Sequence, residues 1–247
     1  FIQLINRTYP EDLNKYRLRS FPGGEYDINR RIVFIKNFAK KEVKHNIPNI
    51  YYINLLHRKD RKEFLLKDLE NINYMDNKIH RIDAIKHKYG AVGCLQSHIK
   101  ALKTGLNEDY SCEYVIILED DFAIRNMNIA KTYLNNIFTE QLDWNVILLG
   151  FNGRYNKNNT SFLKKIIHSQ TTSGYIIKKI YIPILLKLWE DLYYKIKDLN
   201  NKPPHRHCAD IYWKQLQHDK WFITNPVLGY QRESYSDIEK RVTNYNL

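Results

Sequence analysis

The chain has 247 residues, enough for one domain with a substantial core. A hydrophobic fraction of 43 % with 13 % aromatics excludes a wholly disordered chain, and only 9 glycines and 7 prolines exclude collagen-like or low-complexity architecture. The 39 basic and 27 acidic residues leave a formal charge of +12, which points to a polyanionic partner: nucleic acid, anionic lipid or nucleotide phosphates.

Residues 1–48 carry turn signals at Pro10 and Pro22-Gly23-Gly24 and one apolar stretch, Ile32 to Ile35. They read as an N-terminal extension with one strand, packed on the main domain. Ile50 to Leu55 is a buried-strand candidate. Leu65, Leu69 and Ile72 recur at i, i+4 and i+7, so Asp60 to Ile72 is expected to be helical. Lys78 to Ala84 alternates as a strand. After Gly93, the stripe Leu95, Ile99, Leu102 and Leu106 predicts a helix. Tyr114 to Leu118 is a short apolar strand running into Glu119-Asp120-Asp121. Asn128 to Thr139 reads as a helix and Trp144 to Leu149 as a buried strand. Strands alternating with helices imply a mostly parallel sheet covered on both faces. Further on, Thr172 to Ile177 is a strand candidate, and Tyr181, Leu185, Leu188 and Leu192 mark a long helix with Pro183 in its first turn. Ala209 to Leu216 reads as a short helix, and Lys220 to Leu228 carries a strand interrupted by Pro226.

No apolar run reaches the roughly 20 residues a membrane span needs. Cys94, Cys112 and Cys208 lie far apart, with no CxxC pair. An odd, scattered set argues against a disulfide framework and fits a reducing compartment. The expected location is cytoplasmic. Because the sequence starts at Phe1 rather than Met, a preceding signal and a secretory compartment stay open.

The sharpest chemical feature is Glu119-Asp120-Asp121. Ligands of open α/β sheets bind beyond the carboxyl ends of strands, and three adjacent carboxylates repel one another unless a cation neutralises them. A hard ion, Mg²⁺ or Mn²⁺, held with a nucleotide diphosphate meets that need; a solvated acidic turn is the alternative. Asn54 to Arg61 joins the first strand to the first helix, where backbone N–H groups with Arg58 and Arg61 form an anion site. Gly90 to His98 is a tight glycine-containing entry into a helix. With two glycines it is not a dinucleotide fingerprint, and it is no phosphate loop. Ser97 and His98 fall in its first turns; His98 also sits beside the apolar stripe, as a core histidine would. His205-Arg206-His207-Cys208 lacks a matching second pair for zinc. Asp210 stands at a loop-to-helix junction, as an N-cap or a general base.

Together these segments resemble the family 25 glycosyltransferases, which include lipooligosaccharide galactosyltransferases and collagen hydroxylysine galactosyltransferases. The resemblance runs in order through Tyr52-Ile53-Asn54-Leu55 with Arg58 and Asp60-Arg61, Arg81-Ile82-Asp83-Ala84, Gly93-Cys94-Leu95-Gln96-Ser97-His98, Glu119-Asp120-Asp121, Trp144 to Gly150, Thr172 to Ile177, Asp210, and Gln231 with Ser236-Asp237-Ile238. It spans Tyr52 to about Glu239. Two departures stand out: Cys208-Ala209 replaces Pro-Val before Asp210, and Asn145 replaces the usual Asp.

The resemblance implies an α/β fold of GT-A type, a mostly parallel central sheet flanked by helices over residues 49–247. The nucleotide-binding half would be about 49–150 and the acceptor half about 151–247. It implies an inverting hexose transfer from a UDP-sugar, UDP-galactose or UDP-glucose, to a hydroxyl of a glycan or a hydroxylysine-type protein acceptor, with Mn²⁺ or Mg²⁺. Asp121 would ligate the metal, with Glu119 or Asp120 adding a ligand or holding the ribose. Asn54, Arg58 and Arg61 would hold the uridine and diphosphate, while Ser97 and His98 line the donor pocket. Asp210 is the first candidate for the base and Asp237 the second, or Asp237 is a further metal or nucleotide contact. The collagen-type relatives and a residue bias typical of an AT-rich genome fit a large DNA virus, whose enzyme would work in host cytoplasm; bacterial lipooligosaccharide synthesis fits equally. The competing classes are a basic nucleic-acid-binding module, which the acidic triplet opposes, and an inactive relative that binds only sugar or partner.

Overall fold

A computed structural model describes residues 47–108, 112–140, 142–157, 161–236 and 241–243. The chain divides between Lys44 and His45, and the fold is that of the unit that follows. All but the last two residues of the expected N-terminal extension lie outside the described residues, and so does Asp237.

The core element is an eight-stranded mixed sheet flanked by helices. In chain order its strands are β1 (Asn49–Asn54), β2 (Ile79–Asp83), β3 (Tyr114–Glu119), β5 (Val146–Leu148), β6 (Asn152–Tyr155), β7 (Leu163–Gln170), β8 (Gly174–Lys178) and β9 (Trp221–Thr224). They lie in the order β2-β1-β3-β8-β5-β9-β7-β6. β1 runs parallel to both β2 and β3, and β5 parallel to β9; β8 runs against β3 and β5, and β7 against β6 and β9. The sequence reads as mostly parallel because a two-sided buried strand carries no mark of direction. Gly174-Tyr175-Ile176-Ile177 is buried throughout, as a parallel strand would be, yet it is the antiparallel strand at the sheet centre. It comes from the expected acceptor half yet lies between β3 and β5, both of the expected nucleotide-binding half.

Among the described residues four helices cover the sheet: α1 (Lys59–Asn71), α2 (Gly90–Asn107), α3 (Met127–Thr139) and α4 (Ile182–Ile196); a four-residue turn, α5 (Ala209–Tyr212), follows. Alternation along each strand divides the core. Val115 and Ile117 of β3 face the side packed by α2 and α4, while Ile116 and Leu118 face the side packed by α1 and α3. Short pairs outside the main sheet complete the fold: β4 (Phe122–Ile124) with β10 (Gly229–Gln231), and β11 (Ser234–Ser236) with β12 (Arg241–Thr243).

The β6–β7 hairpin is absent from the sequence pattern. Leu163-Lys164-Lys165-Ile166 breaks alternation, and Lys164 is buried in the strand all the same. α2 begins at Gly90, four residues before the first position expected after Gly93, so Gly93 is a helical residue. Its lack of a side chain serves a close approach, since a Cβ there would sit 2.3 Å from the Ile85 carbonyl oxygen.

On the α4 side, Trp189 stacks on Trp213 with centroids 5.8 Å apart, and Trp213 meets Trp221 edge-on at 5.0 Å. All three are fully buried. Trp189→Ala is expected to cost about 3–5 kcal/mol, read as a lower urea midpoint at unchanged slope.

Candidate functional site

A cavity of about 480 Å³ opens beyond the carboxyl ends of β1, β2 and β3, lined among others by Arg61, Lys86, Cys94, His98, Glu119 and Asp121. The parallel register places Ile53 beside Glu119 and Asn54 beside Asp83, so these ends share one edge of the sheet. This is where open α/β sheets bind ligands. A second depression, of about 590 Å³, lies between α2 and α4; there Lys103 and Glu190 pair with each other at 2.6 Å, and among the described residues no cluster of buried carboxylates converges on it.

The three carboxylates have different environments. Glu119 Oε1 accepts hydrogen bonds from Thr172 Oγ1 (2.6 Å) and His98 Nε2 (3.1 Å). Burial works against its charge, but these two donors hold its carboxyl below its ordinary pKa. Asp120 accepts from Asn54 Nδ2 (2.8 Å) and Arg61 Nη1 (3.0 Å); burial outweighs both and raises its pKa. Asp121 is 5 % exposed. Its Oδ2 lies 2.9 Å from Arg61 Nη1 and accepts from Gln231 Nε2 at 3.1 Å, whereas its Oδ1 is buried with no partner. Burial first, and then the charge of Glu119, push its carboxyl up to about 7 against the pull of Arg61. A buried carboxylate oxygen without a donor is costly in a folded protein. A divalent cation with hard oxygen ligands fits that atom.

The two arginines at the start of α1 are engaged inside the protein. Arg61 bridges Asp120 and Asp121 and donates through Nη2 to Ser234 Oγ (2.6 Å) and the Tyr235 carbonyl (2.9 Å); its Nε is buried without a partner. Arg58 donates to both Asp60 oxygens and to the Tyr235 carbonyl at 2.8 Å. Together they tie Ser234 to Ser236 across the cavity, where Tyr235 and Ser236 form part of its lining. Asn54 is buried behind the cavity: it donates to Asp120 and to the Arg58 carbonyl, and accepts from Arg81. Ser97 accepts from Ile85 N and donates to the Gly93 carbonyl, which fixes the loop before α2. His98 is fully buried, with Nδ1 3.2 Å from the Tyr175 hydroxyl and Nε2 on Glu119.

Asp210, at the start of α5, accepts a hydrogen bond from Thr171 N at 3.2 Å. Burial raises its pKa; the Thr171 N–H opposes this and the charge of Glu119 adds to it. Thr171 has φ 81°, an unfavourable backbone for a β-branched residue. The Asp210 anchor thus holds a strained turn whose next residue, Thr172, grips Glu119.

The structure brings Arg61, Ser97, His98, Glu119, Asp120 and Asp121 onto one cavity, with Asn54 and Arg58 in support behind it. It adds a basic rim that the sequence analysis passed over, His57, Lys86, His87 and Lys88. The run Lys86-His87-Lys88 was the available signal, directly before the glycine-containing segment. Gln231, Thr172 and Tyr175 entered the sequence analysis only as parts of matching blocks; each contacts a site side chain. Asn145 donates to Asp219 at 3.1 Å, where an Asp would set two carboxylates together.

No protein-family model matches the chain, and no curated protein matches it. Among solved structures it is similar to a glycosyltransferase involved in the glycosylation of the major capsid of PBCV-1, at 12 % identity over 78 % of this chain and 98 % of that one, with a TM-score of 0.47. It is also similar to a mannose-1-phosphate geranyltransferase from Thermus thermophilus (11 % identity, 75 % of this chain and 74 % of that one, TM-score 0.41). A third is a 4-diphosphocytidyl-2C-methyl-D-erythritolsynthase from Anaerococcus prevotii (9 % identity, 81 % and 94 %, TM-score 0.38). Among the described residues, no helix is long and apolar enough to cross a membrane.

Proposed function

We propose that the protein is a metal-dependent glycosyltransferase of GT-A type, similar to family 25. It moves a hexose, galactose or glucose, from a UDP-sugar to a hydroxyl of a glycan or hydroxylysine-type acceptor with inversion. The observation that carries this reading is Asp121: a buried carboxylate at the end of a parallel strand, with one oxygen unpartnered and a pKa near 7. Asp121 and Glu119 are the proposed ligands of Mn²⁺ or Mg²⁺. A divalent ion there supplies positive charge against which a nucleoside diphosphate departs. Asp120, which Asn54 and Arg61 fix, holds the ribose hydroxyls in this reading. Arg61 Nε and the rim residues Lys86 and Lys88 supply donors for the diphosphate, and Arg58 acts by holding Tyr235. Ser97 and His98 shape the donor pocket.

Inversion needs a base on the face away from the leaving group. Asp210 takes the proton of the acceptor hydroxyl as the new bond from that oxygen to the anomeric carbon forms and the bond to the diphosphate breaks. A raised pKa suits a carboxylate to this task. Asp210→Asn is expected to lower kcat by about 10²–10⁴-fold with the donor KM little changed. Unchanged kcat transfers the role to Asp237.

The direct test of the reading is release of UDP from UDP-galactose and UDP-glucose with Mn²⁺. Release that stops in EDTA and in Asp121→Ala supports it; equal release in EDTA contradicts it.

A further inference from the structure

Cys94 and His98 stand one turn apart on α2, and both approach Glu119 at the end of β3. A thiol sulfur, an imidazole nitrogen and a carboxylate oxygen, one from each, lie within 4.8 Å of one another. The His98 Nε2 to Glu119 Oε1 distance is already 3.1 Å. A tetrahedral ion with bonds of about 2.0–2.3 Å sets its ligands roughly 3.5 Å apart, so side-chain adjustments of about an ångström bring the three atoms to ligating positions. His98 is braced from behind. Its Nδ1 meets the Tyr175 hydroxyl at 3.2 Å, and its ring stacks on Tyr175 and leans on Trp189. An outer hydrogen bond of this kind fixes the orientation and tautomer of a ligating histidine.

We propose that Cys94, His98 and Glu119 form a cation subsite for a soft divalent ion such as Zn²⁺, with the fourth coordination position open to the cavity. The ligand chemistry separates it from the all-oxygen position at Asp121. A sulfur, nitrogen and oxygen set favours Zn²⁺ or Co²⁺, whereas carboxylates alone favour Mg²⁺ or Mn²⁺. All three residues line the 480 Å³ cavity, which gives an ion an entry path and room for one solvent or substrate ligand. On ligation the ion replaces the thiol proton, which leaves to solvent; the imidazole proton passes from Nε2 to Nδ1, which then donates to the Tyr175 oxygen, so the ring stays neutral. The subsite shares Glu119 with the position proposed at Asp121, but its sulfur and nitrogen ligands belong to it alone and are assembled without a nucleotide.

The probe is Co²⁺, added to the full chain after EDTA treatment and dialysis, with no nucleotide present. The expected result is one equivalent of Co²⁺ that gives tetrahedral visible bands and a near-ultraviolet thiolate-to-metal band, both displaced by Zn²⁺, whatever further Co²⁺ binds at the carboxylates. The thiolate band should vanish in Cys94→Ser, persist in Cys112→Ser and Cys208→Ser, and need at least about tenfold more Co²⁺ in His98→Ala. X-ray absorption of the Zn²⁺-loaded natural chain reports the same point without any variant: one sulfur neighbour is expected. A nitrogen and oxygen shell with no sulfur, or a thiolate band that survives Cys94→Ser, overturns the proposal.

Discussion

Replacing Asp121 by alanine is expected to weaken Mn²⁺-dependent UDP binding by at least about 100-fold and to take transfer below detection, while the fold survives. The fold survives because Asp121 is a burden to the metal-free protein. Its folded pKa is raised, from 3.8 to about 7. The sign follows from that direction. A carboxyl with a raised folded pKa contributes stability that is fully present below the unfolded value and is lost as pH rises through about 7. Asp121→Asn keeps the shape and removes the charge. In EDTA it is therefore expected to be more stable than the natural chain at pH 8, by on the order of 3–4 kcal/mol, with the difference shrinking as pH falls towards 5. Urea denaturation of the two proteins across that range isolates the contribution of this one group. A difference that is flat with pH contradicts the environment described for Asp121. Adding Mn²⁺ at pH 8 should stabilise the natural chain and leave Asp121→Asn unmoved.

The second large effect concerns Arg61. It neutralises Asp120 and Asp121 and secures Ser234 and Tyr235, so Arg61→Ala leaves two buried carboxylates without their cation. Breaking a buried ion pair by removing one partner costs about 3–5 kcal/mol, and that loss is expected in EDTA. Mn²⁺ should recover part of it, because a second cation then faces the same carboxylates. Arg61→Lys is expected to keep the charge but lose the fork that reaches Ser234 and Tyr235 together. Its thermal midpoint should lie between those of the natural chain and the alanine variant. An Arg61→Ala protein as stable as the natural chain, with weakened UDP binding only, would make Arg61 a diphosphate ligand and not a structural one.

Much of the fold is legible in the residues. The strands ending at Asn54 and Glu119 follow from short continuous apolar runs buried on both faces, and the helices after Lys59 and Gly90 from period-3.6 stripes buried on one face. Direction is not legible: β8 runs antiparallel with the composition of a parallel strand. The β6–β7 hairpin escaped because a buried lysine breaks its pattern. At the site, residue types were legible and partners were not. Glu119, Asp120 and Asp121 are adjacent in sequence, yet one is held below its ordinary pKa by His98 and Thr172 while the other two are raised. Only the fold brings residue 231 to residue 121, or residues 234 and 235 to residue 61. The arginines at 58 and 61 read as phosphate ligands because the loop-to-helix position invites that role. The structure shows them holding the β11 segment beside the cavity.

The most direct test of the central claim, that Asp121 anchors a metal-dependent nucleotide site, is calorimetric titration of UDP into the natural chain and Asp121→Ala, each with Mn²⁺ and with EDTA. The predicted result is binding by the natural chain with Mn²⁺ alone and by no other combination. UDP binding of equal strength in EDTA, or in Asp121→Ala with Mn²⁺, would contradict it.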